Sequence, residues 1–163
     1  MSQTTDHDPA APCSVDVGID IPSVALMNQT LDFYINGIGF EDLGHIDIDL
    51  AHLNIGPVKV QALRFGNSSF KLKHDMRVDR PDAPRAEVPN LTHYATIRVK
   101  DIQRTTARLQ ALEPKPLMLI PPGEASTKQG AKVKFAFFVD PVGTQIEIVE
   151  GRPWVGTKND DVV

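Results

Sequence analysis

The sequence predicts an α+β protein built from two similar halves. Three observations carry this. Residues 14–74 read as a strand, a helix and then strands. Residues 91–151 repeat that order, and a repeat of supersecondary units sets the architecture before any local detail does. Between them, DMRVDRPDAPRAEVPN (75–90) is charged, rich in proline and without periodicity, which is the composition of a linker. The expected organisation is a disordered leader (1–13), a first module (14–74), the linker (75–90), a second module (91–151) and a C-terminal tail (152–163).

In the first half, VDVGIDIP (15–22) alternates as a strand does. SVALMNQTLDFYING (23–37) carries apolar residues at helical spacing, at Leu26, Leu31 and Phe33–Tyr34, with Gly37 and Gly39 as the stop. VKVQALRFG (58–66) and SSFKLK (68–73) are two strands around a turn. In the second half, HYATIRV (93–99) is a strand. DIQRTTARLQALE (101–113) is an amphipathic helix with Ile102, Leu109 and Leu112 on one side, stopped by Pro114. AKVKFAFFV (131–139) and TQIEIV (144–149) are strands joined at Asp140–Pro141–Val142–Gly143. GHIDIDLAHL, with His45, Asp47, Asp49 and His52, reads as a solvated loop or an edge strand. Its spacing matches no metal motif. PPGEAS (121–126) reads as a mobile loop over a cavity mouth, since it has one glycine and no phosphate-loop pattern.

Composition narrows the function classes. The 163 residues are 41% hydrophobic, enough for a sizeable core, and the formal net charge is −4. Charges of both signs are spread along the chain, which argues against nucleic acid as the partner. No apolar run reaches the roughly 20 residues that span a bilayer. The first dozen residues lack a basic start and an apolar stretch, so no secretory signal is expected and the location expected is cytoplasmic. The single cysteine, Cys13, forms no internal disulfide and has no evident activating base.

The pieces VDVGIDIP, LDFYINGIGFE, YATIRVKDI and DPVGTQIEIVE together resemble the vicinal oxygen chelate superfamily, which includes glyoxalase I, bleomycin-resistance proteins, extradiol dioxygenases and methylmalonyl-CoA epimerase. The resemblance covers about residues 14–151, and DPVGTQIEIVE is its most specific part. It implies two βαβββ modules whose curved mixed sheets surround a shared cavity, often completed across a homodimer. Catalytic members commonly hold a divalent ion with His or Glu from the first and last strands of the modules.

Carried onto this chain, those positions are Asp16, Lys71, Tyr94 and Glu147. Lys71 is an ammonium that repels a cation, and Tyr94 is a phenol that is normally neutral, so neither suits a divalent ion. The reading is therefore no metal and no cofactor. His93 shares its parity with Ala95, Ile97 and Val99 and so belongs on the helix side. A one-residue slip or a bulge would exchange it with Tyr94 and restore a ligand. Glu147 or Asp16 would take a proton, Tyr94 would donate one or bind an oxyanion, and Lys71 would hold an anionic oxygen. Arg98, Thr96 and Asp20 lie further along the same faces as substrate contacts.

Two function classes follow. One is a metal-independent lyase or isomerase acting on a small organic molecule by isomerisation, elimination or ring opening. The other is a protein that sequesters such a molecule, as bleomycin-resistance proteins do. A structural Lys71–Glu147 ion pair remains as the bland alternative, and a metal enzyme with an unusual ligand set as a third.

Overall fold

The computed structural model describes residues 16–50, 56–78, 80, 90–126 and 132–150. Within them the two halves have one topology. The first runs β1 (Asp16–Asp20), α1 (Val24–Asp32), β2 (Glu41–Leu50), β3 (Gly56–Phe65) and β4 (Ser68–Asp75). The second runs β5 (Asn90–Arg98), α2 (Ile102–Gln110), β6 (Leu117–Ser126), β7 (Lys132–Val139) and β8 (Thr144–Glu150). The sheet orders are β1-β4-β3-β2 and β5-β8-β7-β6. In each, the first and last strands pair in parallel and the rest are antiparallel. The expected pair of mixed-sheet βαβββ modules is what the chain forms. None of the described helices is long and apolar enough to cross a membrane.

Local chemistry places the helices. Ser23 caps α1 by accepting from Leu26 N at 3.2 Å. After Asp32 the coil widens into a π-turn, Phe33–Ile38, which the apolar spacing alone read as a continuous helix. It closes at Gly39, whose φ of 106° is left-handed and whose N–H bonds Tyr34 O at 2.9 Å. Asp101 caps α2 by accepting from Arg104 N, and Glu150, at the end of β8, accepts from Ile102 N at 2.8 Å.

Two segments depart from expectation. PPGEAS is part of strand β6, not a loop over a cavity. Its prolines are accommodated because β6 is the sheet edge and its pairing with β7 shifts register twice. GHIDIDL forms edge strand β2, one of the two alternatives expected, with His45 and Asp47 exposed. The leader, Cys13, His52, the tail with Trp154 and nearly all of the linker lie outside the described residues. For Asp16, Asp49 and His93 only the backbone position is described.

The inner faces of both sheets and the helices share one core. Leu63, Phe70 and Leu72 come from the first sheet, and Ile97, Ala136, Phe138, Ile146 and Ile148 from the second. Two polar ties cross between the modules inside it. The Tyr34 hydroxyl donates to Asp140 Oδ2 at 3.0 Å, with both residues fully buried. Asp140 Oδ1 also accepts from Val142 N and Thr144 N, at 3.1 and 2.7 Å, which fixes the β7–β8 turn. The second tie is Arg108, whose guanidinium donates to Gly37 O at 3.0 Å and Ile38 O at 2.5 Å, the open carbonyls of the π-turn. Gly37 permits this approach, because a Cβ there would stand 2.4 Å from Leu109 Cδ2.

Asp140→Ala strands three donors and should cost about 3 kcal/mol or more, whereas Tyr34→Phe should cost about 1–3 kcal/mol. Asp140→Asn should cost less than either, since an amide keeps an acceptor for the turn. Urea unfolding of the three variants checks the order. Burial pushes the Asp140 carboxyl up, against the pull of Thr144, Tyr34 and Val142. The folded state then holds the proton more tightly than the unfolded state. That contribution is fully present below the ordinary aspartate range and is lost as pH rises through the raised folded value. The stability gap between wild type and Asp140→Asn should therefore shrink as pH rises; a gap that widens would contradict the assignment. Gly37→Ala should destabilise by about 1–3 kcal/mol through overpacking against Leu109, read in the same unfolding assay.

Candidate functional site

Strand parity decides which side chains can form a site. In β8, Ile146 and Ile148 enter the core, so Gln145, Glu147 and Val149 face outward from it. Register places Thr96 opposite Glu147, Tyr94 opposite Gln145 and Arg98 opposite Val149 on β5, with Phe137 opposite Glu147 on β7. Tyr94, Thr96, Arg98, Glu147 and Phe137 thus share the outer face of the second sheet.

The centre of this face is a fixed pair. The Thr96 hydroxyl donates to Glu147 Oε2 at 2.6 Å. The surroundings are aromatic. Tyr94 meets Phe137 edge-on with centroids 6.1 Å apart, and Phe137 meets Phe135 at 6.3 Å. Glu147 is half-buried, while Tyr94 is 61% exposed at one edge of the face and Leu117 and Ile120 are exposed on β6 at the other. A carboxylate held by a hydroxyl among rings, with a phenol one register step away, can accept a proton, donate one and bind a flat apolar molecule.

The other predicted residues lie elsewhere. Lys71 sits opposite Gly18 and Ala62 on the outer face of the first sheet, and it lines no described cavity together with Glu147. Asp16 lies two residues before Gly18 on β1, opposite Ser69. Asp20 forms an exposed ion pair with Lys73 at 2.8 Å and lines a cavity of about 420 Å³ with Pro22, Val58, Asp75 and Arg80. Thr96 and Arg98 line a different one, of about 450 Å³. His93 falls where the β5–β8 pairing is irregular, between Asn90 and Tyr94, so alternation from Ala95 and Ile97 does not fix its side.

Phe135 and Phe137 were not singled out from the sequence. The signal was present in KFAFF, where they alternate with core residues Ala136 and Phe138, but pairing with Glu147 needed the register. The aromatic group Phe40, Phe65 and Phe70 was equally hidden, because it joins the end of the π-turn to the β3–β4 hairpin.

The donor set does not fit a divalent ion. Of the described side chains at the family's positions, one is an ammonium, one a phenol and one a carboxylate already engaged with Thr96. No three His, Cys, Asp or Glu side chains are grouped to hold a metal among the described residues.

Neither a protein-family model nor a curated protein matches this sequence. Solved structures do match the fold. A glyoxalase family protein from Bacillus cereus aligns over 88% of this chain and 97% of its own, with TM-score 0.62 and 17% identity. The fosfomycin resistance protein FosX from Listeria monocytogenes, solved with Mn(II) and sulfate, aligns over 87% and 94%, with TM-score 0.55 and 10% identity. A glyoxalase/bleomycin resistance protein/dioxygenase from Alicyclobacillus acidocaldarius aligns over 86% and 92%, with TM-score 0.51 and 12% identity. The chain has the fold of the vicinal oxygen chelate superfamily.

Proposed function

We propose that the protein is a metal-independent lyase or isomerase acting on a small organic molecule bound against the outer face of the second sheet. The observation that carries this is the Thr96–Glu147 pair set among Tyr94 and Phe137. Glu147 removes a proton from the substrate, and Thr96 holds the carboxylate in one orientation while it does so. Tyr94 returns the proton or donates to a developing oxyanion. The apolar rings support a carbon skeleton. The FosX structure holds Mn(II), and the reading here is that this chain replaces that chemistry with proton transfer, because Lys71 and Tyr94 stand where ligands would be needed.

Glu147→Gln should lower turnover by about 10²–10⁴-fold on any substrate found by screening small carbonyl, epoxide and lactone compounds. Tyr94→Phe should also lower it, and neither change should shift thermal unfolding. Stoichiometric divalent metal in the purified chain would overturn the metal-independent reading. Stoichiometric binding without product would favour sequestration, a second reading that the aromatic face also supports.

The same face supports a homodimer. Tyr94, Leu117 and Ile120 are exposed there, whereas the first sheet's outer face carries Lys71 and exposed Ile46. In this arrangement the first sheet of one copy covers the second sheet of the other, and Lys71 from one copy joins Glu147 from its partner to hold an anionic oxygen. Light scattering should then give twice 17.9 kDa. Chains bearing Lys71→Ala and chains bearing Glu147→Gln, inactive apart, should regain about a quarter of wild-type activity when mixed and refolded, since each mixed dimer has one intact site. No recovery would place the two residues in separate roles.

A further inference from the structure

The cavity of about 420 Å³ lies where the end of β1, the start of β3 and the end of β4 meet the β7–β8 turn of the other module. Four charged side chains line it: Asp20, Lys73, Asp75 and Arg80. Both acids already have a cation. Lys73 Nζ stands 2.8 Å from Asp20 Oδ1. The Arg77 guanidinium donates to Asp75 Oδ2 at 2.9 Å, and its hydrogen bonds hold the Asp75 carboxyl down at about 2. Each acid therefore enters the cavity as half of a neutral pair. Arg80 differs. Its backbone N–H donates to Pro22 O at 3.0 Å, which holds it against the turn after β1. Its guanidinium has no hydrogen bond or ion pair among the described residues.

An uncommitted guanidinium selects a planar anion, which it binds through two parallel N–H donors. Lys73 reinforces that choice. Its ammonium carries three donors and gives one to Asp20, so it can give another to the same anion. The rest of the wall is aliphatic. Pro22, Val58 and Val142 offer no ring to stack on, so the body they select is a compact, branched hydrocarbon rather than a flat one. The volume lies within the usual range for small-ligand sites. We propose that this cavity binds a short branched aliphatic carboxylate, with the carboxylate on Arg80 and the hydrocarbon against Pro22 and Val142. None of these residues belongs to the face that carries Thr96 and Glu147, so the site is a second one and stands apart from the acid–base reading above.

The test uses the full-length chain and sodium isovalerate, with binding followed by calorimetry and by amide chemical shifts. Saturable binding with shifts at Ile21, Lys73, Arg80 and Val142 is expected. Acetate, which has the charge without the body, and isopentyl alcohol, which has the body without the charge, should each bind at least about tenfold more weakly. Arg80→Gln should weaken isovalerate by about tenfold or more, and Arg80→Lys, which keeps the charge and loses the fork, should fall between. Arg80 is exposed, so both variants should unfold at the wild-type temperature. Asp20→Asn releases Lys73 and should bind isovalerate at least as tightly as wild type. Glu147→Gln should bind it as wild type does, so failure of the acid–base reading leaves this result intact. No saturable isovalerate binding, equal affinity for acetate, or unchanged affinity in Arg80→Gln would overturn the proposal, whatever the turnover assays show.

Discussion

The buried bond between Tyr34 and Asp140 is the constraint on which the arrangement depends. A carboxyl group with no exposure must find donors inside the protein, or it forfeits solvation worth several kcal/mol. Asp140 finds three. Two are backbone N–H groups of its own turn, and the third is a phenol from the other module. Satisfying that one side chain therefore does two jobs. It sets the β7–β8 turn, and it anchors the turn to the π-turn of the first module. Tyr34 is held in return by edge contacts with Phe33 and Phe40. Burial and the neighbouring Asp140 push its hydroxyl well above the ordinary tyrosine range, so it remains a donor.

From that turn the position of Glu147 follows. A fixed turn fixes register, and register fixes faces, because a slip of one residue would send Ile146 and Ile148 to solvent. With Val139 opposite Gln145, Phe137 must stand opposite Glu147. The acid is thus placed among rings by a structural carboxylate seven residues upstream. Two of the three acids of DPVGTQIEIVE have opposite fates for the same reason: Asp140 meets donors and is buried, whereas Glu147 meets one hydroxyl and faces outward.

Much of this was legible in the sequence, and the failures have physical causes. The repeat and six of the eight strands show in period-two alternation. β6 did not, because LMLIPPGEAS has adjacent prolines and no clean alternation, and only an edge strand with bulges tolerates it. The π-turn was hidden because a fifth-residue bond leaves the same apolar spacing as a fourth-residue one over so short a stretch. For the site, parity put Tyr94, Thr96 and Arg98 on one face of β5, and the resemblance set Glu147 with Tyr94. Neither could show that Asp20 is engaged by Lys73, or that the β5 ladder is irregular before Tyr94. Those depend on pairing between strands that the sequence keeps more than 50 residues apart.

The same core explains why Lys71 and Glu147 stand on different sheets. One apolar cluster uses the inner faces of both, so Lys71, Tyr94 and Glu147 are left on outer faces. On the first sheet that face carries Lys71 and the Lys73–Asp20 pair, and on the second it carries Glu147 with Thr96. A divalent ion needs several anionic or neutral donors converging within bonding distance, and an ammonium in the set works against it by direct repulsion. An anionic organic molecule has the opposite requirement: a cation to hold its charge, a base to take its proton and rings to support its body. Lys71 and Tyr94 do not meet the first requirement, and the second is what the proposed proton transfer asks of Glu147, Tyr94 and the rings.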